Sequence, residues 1–246
     1  MLIVGFWLAM TGLLVVRELY PDSTRLNNVP VSHVGRLLFQ HEQPSELVVR
    51  DKQKEVGTFF IQPHANRETR ERRIEFHGNL GINLPAAGKQ RISWSGNAIM
   101  DDAFNVINLK VSLSTHDPIQ GIELDIDNPT NLAKYVITNQ GYELEKGSFT
   151  LDQDGLTSLL KRAGLPVAVF QSLLSGKQNA KAVPEVVSRL SSLKLNGETI
   201  STYVVSVNVS GQTLLEAHVT QLGQVLKASA PALGYKMYPQ NYKETE

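Results

Sequence analysis

The sequence contains no cysteine. It therefore has no disulfide, no Cys-based zinc or iron–sulfur site, no thiol nucleophile and no lipid-modified cysteine of the bacterial lipoprotein kind. Neither sign of charge is in excess, with 24 Lys and Arg against 24 Asp and Glu. Such a balance sets up no long-range field for phosphate backbones, so nucleic acid is not an expected partner. Catalytic and metal-binding motifs are missing too. His33, His41, His64, His77, His116 and His218 show no HxH or HExxH spacing, and there is no GxSxG elbow or glycine-rich phosphate loop. Asp152-Gln-Asp154-Gly155 resembles the opening of a calcium loop, but the twelfth position is Ala163, where a bidentate glutamate is required. Asp125, Asp127 and Asn128 read as a solvated strand end, and the charge run Arg67–Arg73 as a solvated strand edge. The expectation is no metal, no cofactor and no enzymatic activity; a triad assembled only in space is the one route left open.

Long apolar runs are also scarce. The clearest is Leu2–Val16, LIVGFWLAMTGLLVV, which carries no charge. Extended to Tyr20 as a helix it reaches ~28 Å, close to the hydrocarbon thickness of a bilayer. Arg17 and Glu18 would lie at the interface and Pro21 would stop the helix. A cleavable signal peptide fits less well, because a charged leading region and a small-x-small site are both absent. A buried core helix fits less well again, because the segment is apolar all round. Residues 1–20 are therefore expected to be an uncleaved transmembrane anchor in the inner membrane. The large size of the remaining chain favours an extracytoplasmic domain.

Beyond a polar linker at 21–32, short alternating runs dominate from His33. Strands are predicted at Ser45–Asp51, Glu55–Ile61, Arg73–Leu84 (with Gly78 as a bulge), Arg91–Met100, Val106–Ser114 and Ile122–Asp127. Others are predicted at Ala133–Thr138, Tyr142–Leu144, Ser148–Leu151, Tyr203–Ser210, Thr213–Thr220, Val225–Ser229 and Gly234–Tyr238. In the middle the period changes. Asp154 can cap a helix over Gly155–Ala163 that ends at Gly164, and Pro166 can open a second helix within Leu165–Leu174. A third short helix is predicted over Pro184–Leu193.

Strands apolar on one side and polar on the other form antiparallel sheet with one wet face. Their dry faces must meet in a sandwich, a closed barrel or a curled sheet plugged by helices. The amphipathic interlude favours the last. The expected fold is mainly β, a strongly curved antiparallel half-barrel with a helical insert, 154–193, in its concavity. The domain would span 33–240, with a polar tail at 241–246. A sandwich is the runner-up.

This order, many strands, a helical insert and a final group of strands, resembles the periplasmic lipoprotein carriers and their outer-membrane receptors, the LolA/LolB-like half-barrels. The likeness covers Val34 to Tyr238 as topology, with no motif matched residue by residue. An anchored β-domain is similar, in that respect, to the single-pass lipopolysaccharide-export component with its β-jellyroll. The chain departs from both carrier and receptor in having neither a cleavage site nor a cysteine. Both resemblances imply lipid handling, with acyl chains held between a curled sheet and its helices.

The residues expected to line such a cavity are Phe60, Phe76, Trp94, Val111, Leu124 and Val205 from the sheet, with Leu159 and Phe170 from the insert. Ile107, Leu113, Val207, Leu160 and Leu173 belong to the same stripes. An ordinary packed core is the bland reading of these stripes. The functional reading is a lipid or lipoprotein site on a membrane-tethered envelope protein; the alternative is a scaffolding subunit with a filled core and other envelope proteins as partners.

Overall fold

Period-two alternation on nearly every strand gives the sheet one face that water must leave. In the computed structural model, which describes residues 28–66, 68–84, 88–116, 119–150, 153–163, 185–209 and 212–242, these strands form one antiparallel sheet. The strands are β1 (Ser45–Asp51), β2 (Lys54–Ala65), β3 (Arg72–Leu84), β4 (Gly88–Met100), β5 (Val106–His116), β6 (Ile119–Asp127), β7 (Leu132–Asn139), β8 (Tyr142–Thr150), β9 (Glu185–Leu195), β10 (Glu198–Val209), β11 (Gln212–Thr220), β12 (Val225–Ala230) and β13 (Tyr235–Pro239). Helix α1 (Val31–His41) precedes β1, and helix α2 (Gln153–Arg162) comes after β8.

All thirteen strands pair in the order β8-β7-β6-β5-β4-β3-β2-β1-β13-β12-β11-β10-β9. Every neighbour in that order except β1 and β13 is also a neighbour in sequence. The sheet is thus a long meander whose two ends of chain meet at β1–β13, and it is open between β8 and β9. Tight turns set the register: Gln140-Gly141 and Asn196-Gly197 all have positive φ, matching the two-residue hairpins that the pairs Asn139↔Tyr142 and Leu195↔Glu198 require.

Curling is dictated by the contacts of α1. Val29, just before it, donates to the Ser188 carbonyl on β9 at 3.1 Å. Phe39, near its end, stacks on Phe104 in the β4–β5 turn with ring centroids 6.0 Å apart. In a flat sheet β9 and β4 would lie eight spacings apart, about 38 Å, whereas an eleven-residue helix is only about 16 Å long. The sheet therefore wraps round α1. Register shifts at Val49/Arg50, Ile99/Met100, Ile137/Thr138, Val207/Asn208 and His218/Val219 add to the bend.

The strand ends make two rims. One carries the β2–β3, β4–β5, β6–β7, β9–β10 and β11–β12 turns, and α1 lies against it. There Gly223, at φ +74°, abuts the Leu37 backbone, and the Gln62 side-chain amide donates to the Glu42 carbonyl at 2.8 Å. The opposite rim carries the β1–β2, β3–β4, β5–β6, β7–β8 and β12–β13 turns.

On the inner face, Val34 of α1 packs in a core with Leu47, Val219, Val225 and Ala228. Leu159 and Ala163, at the end of α2, pack on Ile122, Tyr135 and Ile137. Val49, Leu80, Ile82 and Ile92 form a third cluster between them. The seam is stitched by a buried bond from the Val225 amide to the Ser45 hydroxyl, 2.9 Å. On β10 the outward-facing Thr202, Val204 and Ser206 are buried, and the inward-facing Tyr203 and Val205 are half-buried.

Several expectations need correction. Pro184–Leu193 is not helical: from Glu185 onward it is strand β9. Val31–His41 is a helix rather than linker and strand, because Val31, Val34 and Leu38 fall on one helical stripe. Gly78 is no bulge, and its register with β2 and β4 is regular. Tyr142–Leu144 and Ser148–Leu151 are parts of one strand, β8. The expected anchor at 1–20 and the helix within Leu165–Leu174 lie outside the described residues. No helix among the described residues is long and apolar enough to cross a membrane.

The facing assigned to β1 and β2 has a direct consequence for stability. Leu47, fully buried on the inner face, should lose about 2–5 kcal/mol on change to alanine. Phe60→Ala, on the outer face, should cost about 1 kcal/mol or less. Urea unfolding of the two variants measures both, and the reverse order would contradict the assignment.

Candidate functional site

Pairing registers decide which side chains share the inner face. Phe59↔Gly78↔Trp94↔Leu113↔Ile122↔Ile137 is one row across β2 to β7, and Ile61↔Phe76↔Gly96↔Val111↔Leu124↔Tyr135 is the next. Phe76, Trp94, Val111 and Leu124 thus lie together, as the strand patterns require. Leu124 and Leu113 also pack against the cluster that holds Leu159. Val205 is on the same face but belongs to the α1 cluster, across the seam. Ile107 is displaced: it sits beside the β4–β5 bulge and is exposed. Phe60 is on the opposite face, where its ring stacks on His77 with centroids 4.6 Å apart. In the run Phe59-Phe60-Ile61 the alternation is ambiguous, and the pairing selects Phe59. Phe170 and Leu173 lie outside the described residues.

The centre of this face has a recurrent construction that the strand patterns did not reveal. Three of its aromatic residues stand directly opposite a glycine on the next strand: Trp94 on Gly78, Phe76 on Gly96 and Tyr135 on Gly147. A methyl group added at these glycines would meet the ring at 2.5, 2.7 and 3.0 Å respectively. The rings therefore recline over bare backbone instead of standing up from the sheet. Phe76, Trp94, Val111, Leu113 and Leu124 are half-buried. They form a broad apolar floor, with the α1 core on one side and α2 on the other.

At its α2 side the floor ends in a polar clasp. The Tyr135 hydroxyl donates to Glu145 Oε1 at 2.6 Å, and Arg162 at the end of α2 donates to the same oxygen at 2.9 Å. Tyr135 and Arg162 together hold the Glu145 carboxyl below the ordinary glutamate range, the tyrosine bond being the larger cause. The same carboxylate raises the Tyr135 hydroxyl and the Arg162 guanidinium. Gly147 leaves the space in which the Tyr135 ring lies, and so permits the clasp. Neither Tyr135 nor Glu145 was among the expected site residues. The signal in the sequence is weak, an aromatic on β7 and a glycine on β8 that only the register brings together.

Elsewhere, polar clusters are self-satisfied. Glu68–Glu71 lie in the β2–β3 turn and Arg72 and Arg73 open β3, beside a cleft of about 420 Å³ lined by Ala65, Asn66, Arg70, Glu71, Arg72 and Asp102. Within it Arg72 pairs with Asp102 at 2.9 Å and Arg73 with Glu71 at 2.8 Å. Among the described residues no three His, Asp or Glu side chains converge as metal ligands would.

The clasp gives a pH dependence with a definite sign. Because the folded state depresses the Glu145 pKa, its contribution to stability is present above the ordinary carboxylate range, about 4, and is lost as pH falls through the lower folded value. Glu145→Gln should remove that part of the acid dependence. Protection of the α2 amides, taken relative to the intrinsic exchange rate at each pH, should be lower in the variant than in the unsubstituted protein at pH 7 and the two should converge in acid; an unchanged acid response would count against the clasp.

No protein-family model matches the chain, and no curated protein matches it. Among solved structures, the chain is similar to a crystal structure from Brucella abortus described as a β-barrel-like protein of a domain of unknown function, DUF1849. That likeness has a TM-score of 0.39 and 7% sequence identity, covering 79% of this chain and 93% of that one.

Proposed function

We propose that this protein is a membrane-tethered component of a bacterial-type cell envelope that binds an acyl chain, of a lipid or a lipoprotein, on the inner face of its curled sheet. The role is one of binding rather than catalysis. The observation that carries the reading is the apolar floor between α1 and α2, where Phe76 and Trp94 lie flat over Gly96 and Gly78 and, with Val111, Leu113 and Leu124, are only half-buried. Rings that stood upright would fill this space with protein. Rings laid down leave a long shallow surface that an alkyl chain fits, at about 0.8 kcal/mol per buried methylene. The floor offers no charged partner for a headgroup, so specificity would rest on the tail.

Tethering rests on a separate observation, the uncharged run Leu2–Val16. We place that segment in the inner membrane and the sheet on the extracytoplasmic side, within reach of lipid or of other envelope proteins.

The reading is tested on the full chain in native membranes with a fatty acid carrying a photoreactive diazirine. Irradiation should leave adducts on peptides that contain Trp94, Val111 or Leu124. Val111→Glu should lower that labelling at least about tenfold, since a carboxylate has no partner on the floor. Adducts confined to residues 1–27, or none, would overturn the proposal.

A further inference from the structure

Exposed apolar side chains are not spread evenly over the described surface. Ile119, Tyr142, Leu144, Val186, Val187 and Leu215 lie toward the rim opposite α1, and Ile107, Leu132 and Leu222 toward the other. The most exposed of the first group sit at adjacent turns. Ile119 opens β6, its carbonyl receives the Gln140 amide at 2.9 Å, and Tyr142 comes two residues later. Tyr142 is 76% exposed, Leu144 64% and Ile119 55%. These values mark them as protruding tips rather than incompletely covered core.

Charge on the same rim is sorted. Glu55, Glu143 and Glu145 are each paired, with Arg50 at 3.5 Å, Lys146 at 3.2 Å and Arg162 at 2.9 Å. Lys52 and Lys54 at the β1–β2 turn, Lys89 at the β3–β4 turn and Lys161 near the end of α2 are exposed, and the Asp51 carboxylate beside Lys52 is exposed with them. The inner face reaches this rim at Ile122 and Ile137, within three residues of Ile119 and Gln140, where Leu159 and Ala163 cover it.

From this juxtaposition of protruding Ile119, Tyr142 and Leu144 with exposed Lys52, Lys54, Lys89 and Lys161 on one rim, we infer that this rim docks onto the surface of a bilayer containing anionic lipid. The inference rests on the acyl-chain reading and adds where the chain enters. Aromatic and aliphatic tips enter the interfacial layer, and tyrosine is suited to that depth. Lysines near the surface gain about 1 kcal/mol each from an anionic leaflet. Docking places this end of the inner face against the lipid.

The absence of cysteine makes the test clean. The full chain carries a single substitution, Leu144→Cys or Leu222→Cys, labelled with an environment-sensitive fluorophore, and is reconstituted in vesicles of phosphatidylcholine with or without phosphatidylglycerol. The label at position 144 should shift to the blue and be quenched by lipid-borne nitroxide in the anionic vesicles, while the label at 222 on the opposite rim should not. Combined Lys52→Glu, Lys89→Glu and Lys161→Glu should lower the docked-to-undocked ratio roughly 100-fold. Equal quenching at both positions, or none at 144, would overturn the docking inference. Diazirine labelling of the floor is read separately. Quenching at 144 without floor adducts would leave docking standing and the acyl-chain site refuted, and adducts without quenching would do the opposite.

Discussion

One largely apolar face, carried by a sheet of thirteen strands, is the constraint that dictates the rest of the architecture. A face of that extent cannot remain wet at ~25 cal/mol per Å², and the chain has no second sheet to lay against it among the described residues. The sheet instead curls on itself, and two short helices come down on its inner side at different places. Helix α1 seals the half near the β1–β13 junction, where the beginning and end of the domain meet. Helix α2 covers the far strands β6, β7 and β8 and is clasped there by Tyr135, Glu145 and Arg162. Between them Phe76, Trp94, Val111, Leu113 and Leu124 are half-buried, beside the buried cluster of Val49, Leu80, Ile82 and Ile92.

That strip is kept low by glycine. A strand interior normally loses stability at glycine, which brings no side chain to pack and costs backbone entropy. Here Gly78, Gly96 and Gly147 each receive an aromatic ring from the facing strand, so the loss is offset by ring burial and the floor stays flat. The same arrangement at Gly147 lets Tyr135 reach Glu145, tying the geometry of the floor to the attachment of α2. Packing, clasp and groove are therefore one piece of construction.

The sheet was legible wherever one face is buried and the other wet. Val106–Ser114 shows this best, since Leu109, Val111 and Leu113 point inward and Asn108, Lys110 and Ser112 outward, as their alternation requires. Legibility fell where that contrast weakens. On β9, an edge strand, Val186, Val187, Leu190 and Leu193 are spaced as a helix would space them. Asn196-Gly197, which closes the β9–β10 hairpin, is a two-residue turn signal that the helical reading of Pro184–Leu193 left unused. Helix α1 hid behind Pro30 and a polar lead-in that reads as linker. Phe60 fell on the wrong side because three apolar residues run together at Phe59-Phe60-Ile61. Of the candidate site, the stripe Phe76, Trp94, Val111 and Leu124 could be read from alternation alone. The ring-on-glycine pairs and the clasp could not, because they depend on register between strands, which no single strand contains.

The proposed alkyl-chain site on the inner face between α1 and α2 is the claim on which the functional account stands. Single cysteines placed in turn along Asn108–Thr115, spin-labelled and reconstituted, measure it most directly through collision with lipid-soluble oxygen and water-soluble nickel chelate. The account predicts a period of two, with Leu109, Val111 and Leu113 changing accessibility when lipid is added and Asn108, Lys110 and Ser112 unchanged. Inward positions indifferent to lipid, or a response at the outward ones, would contradict it.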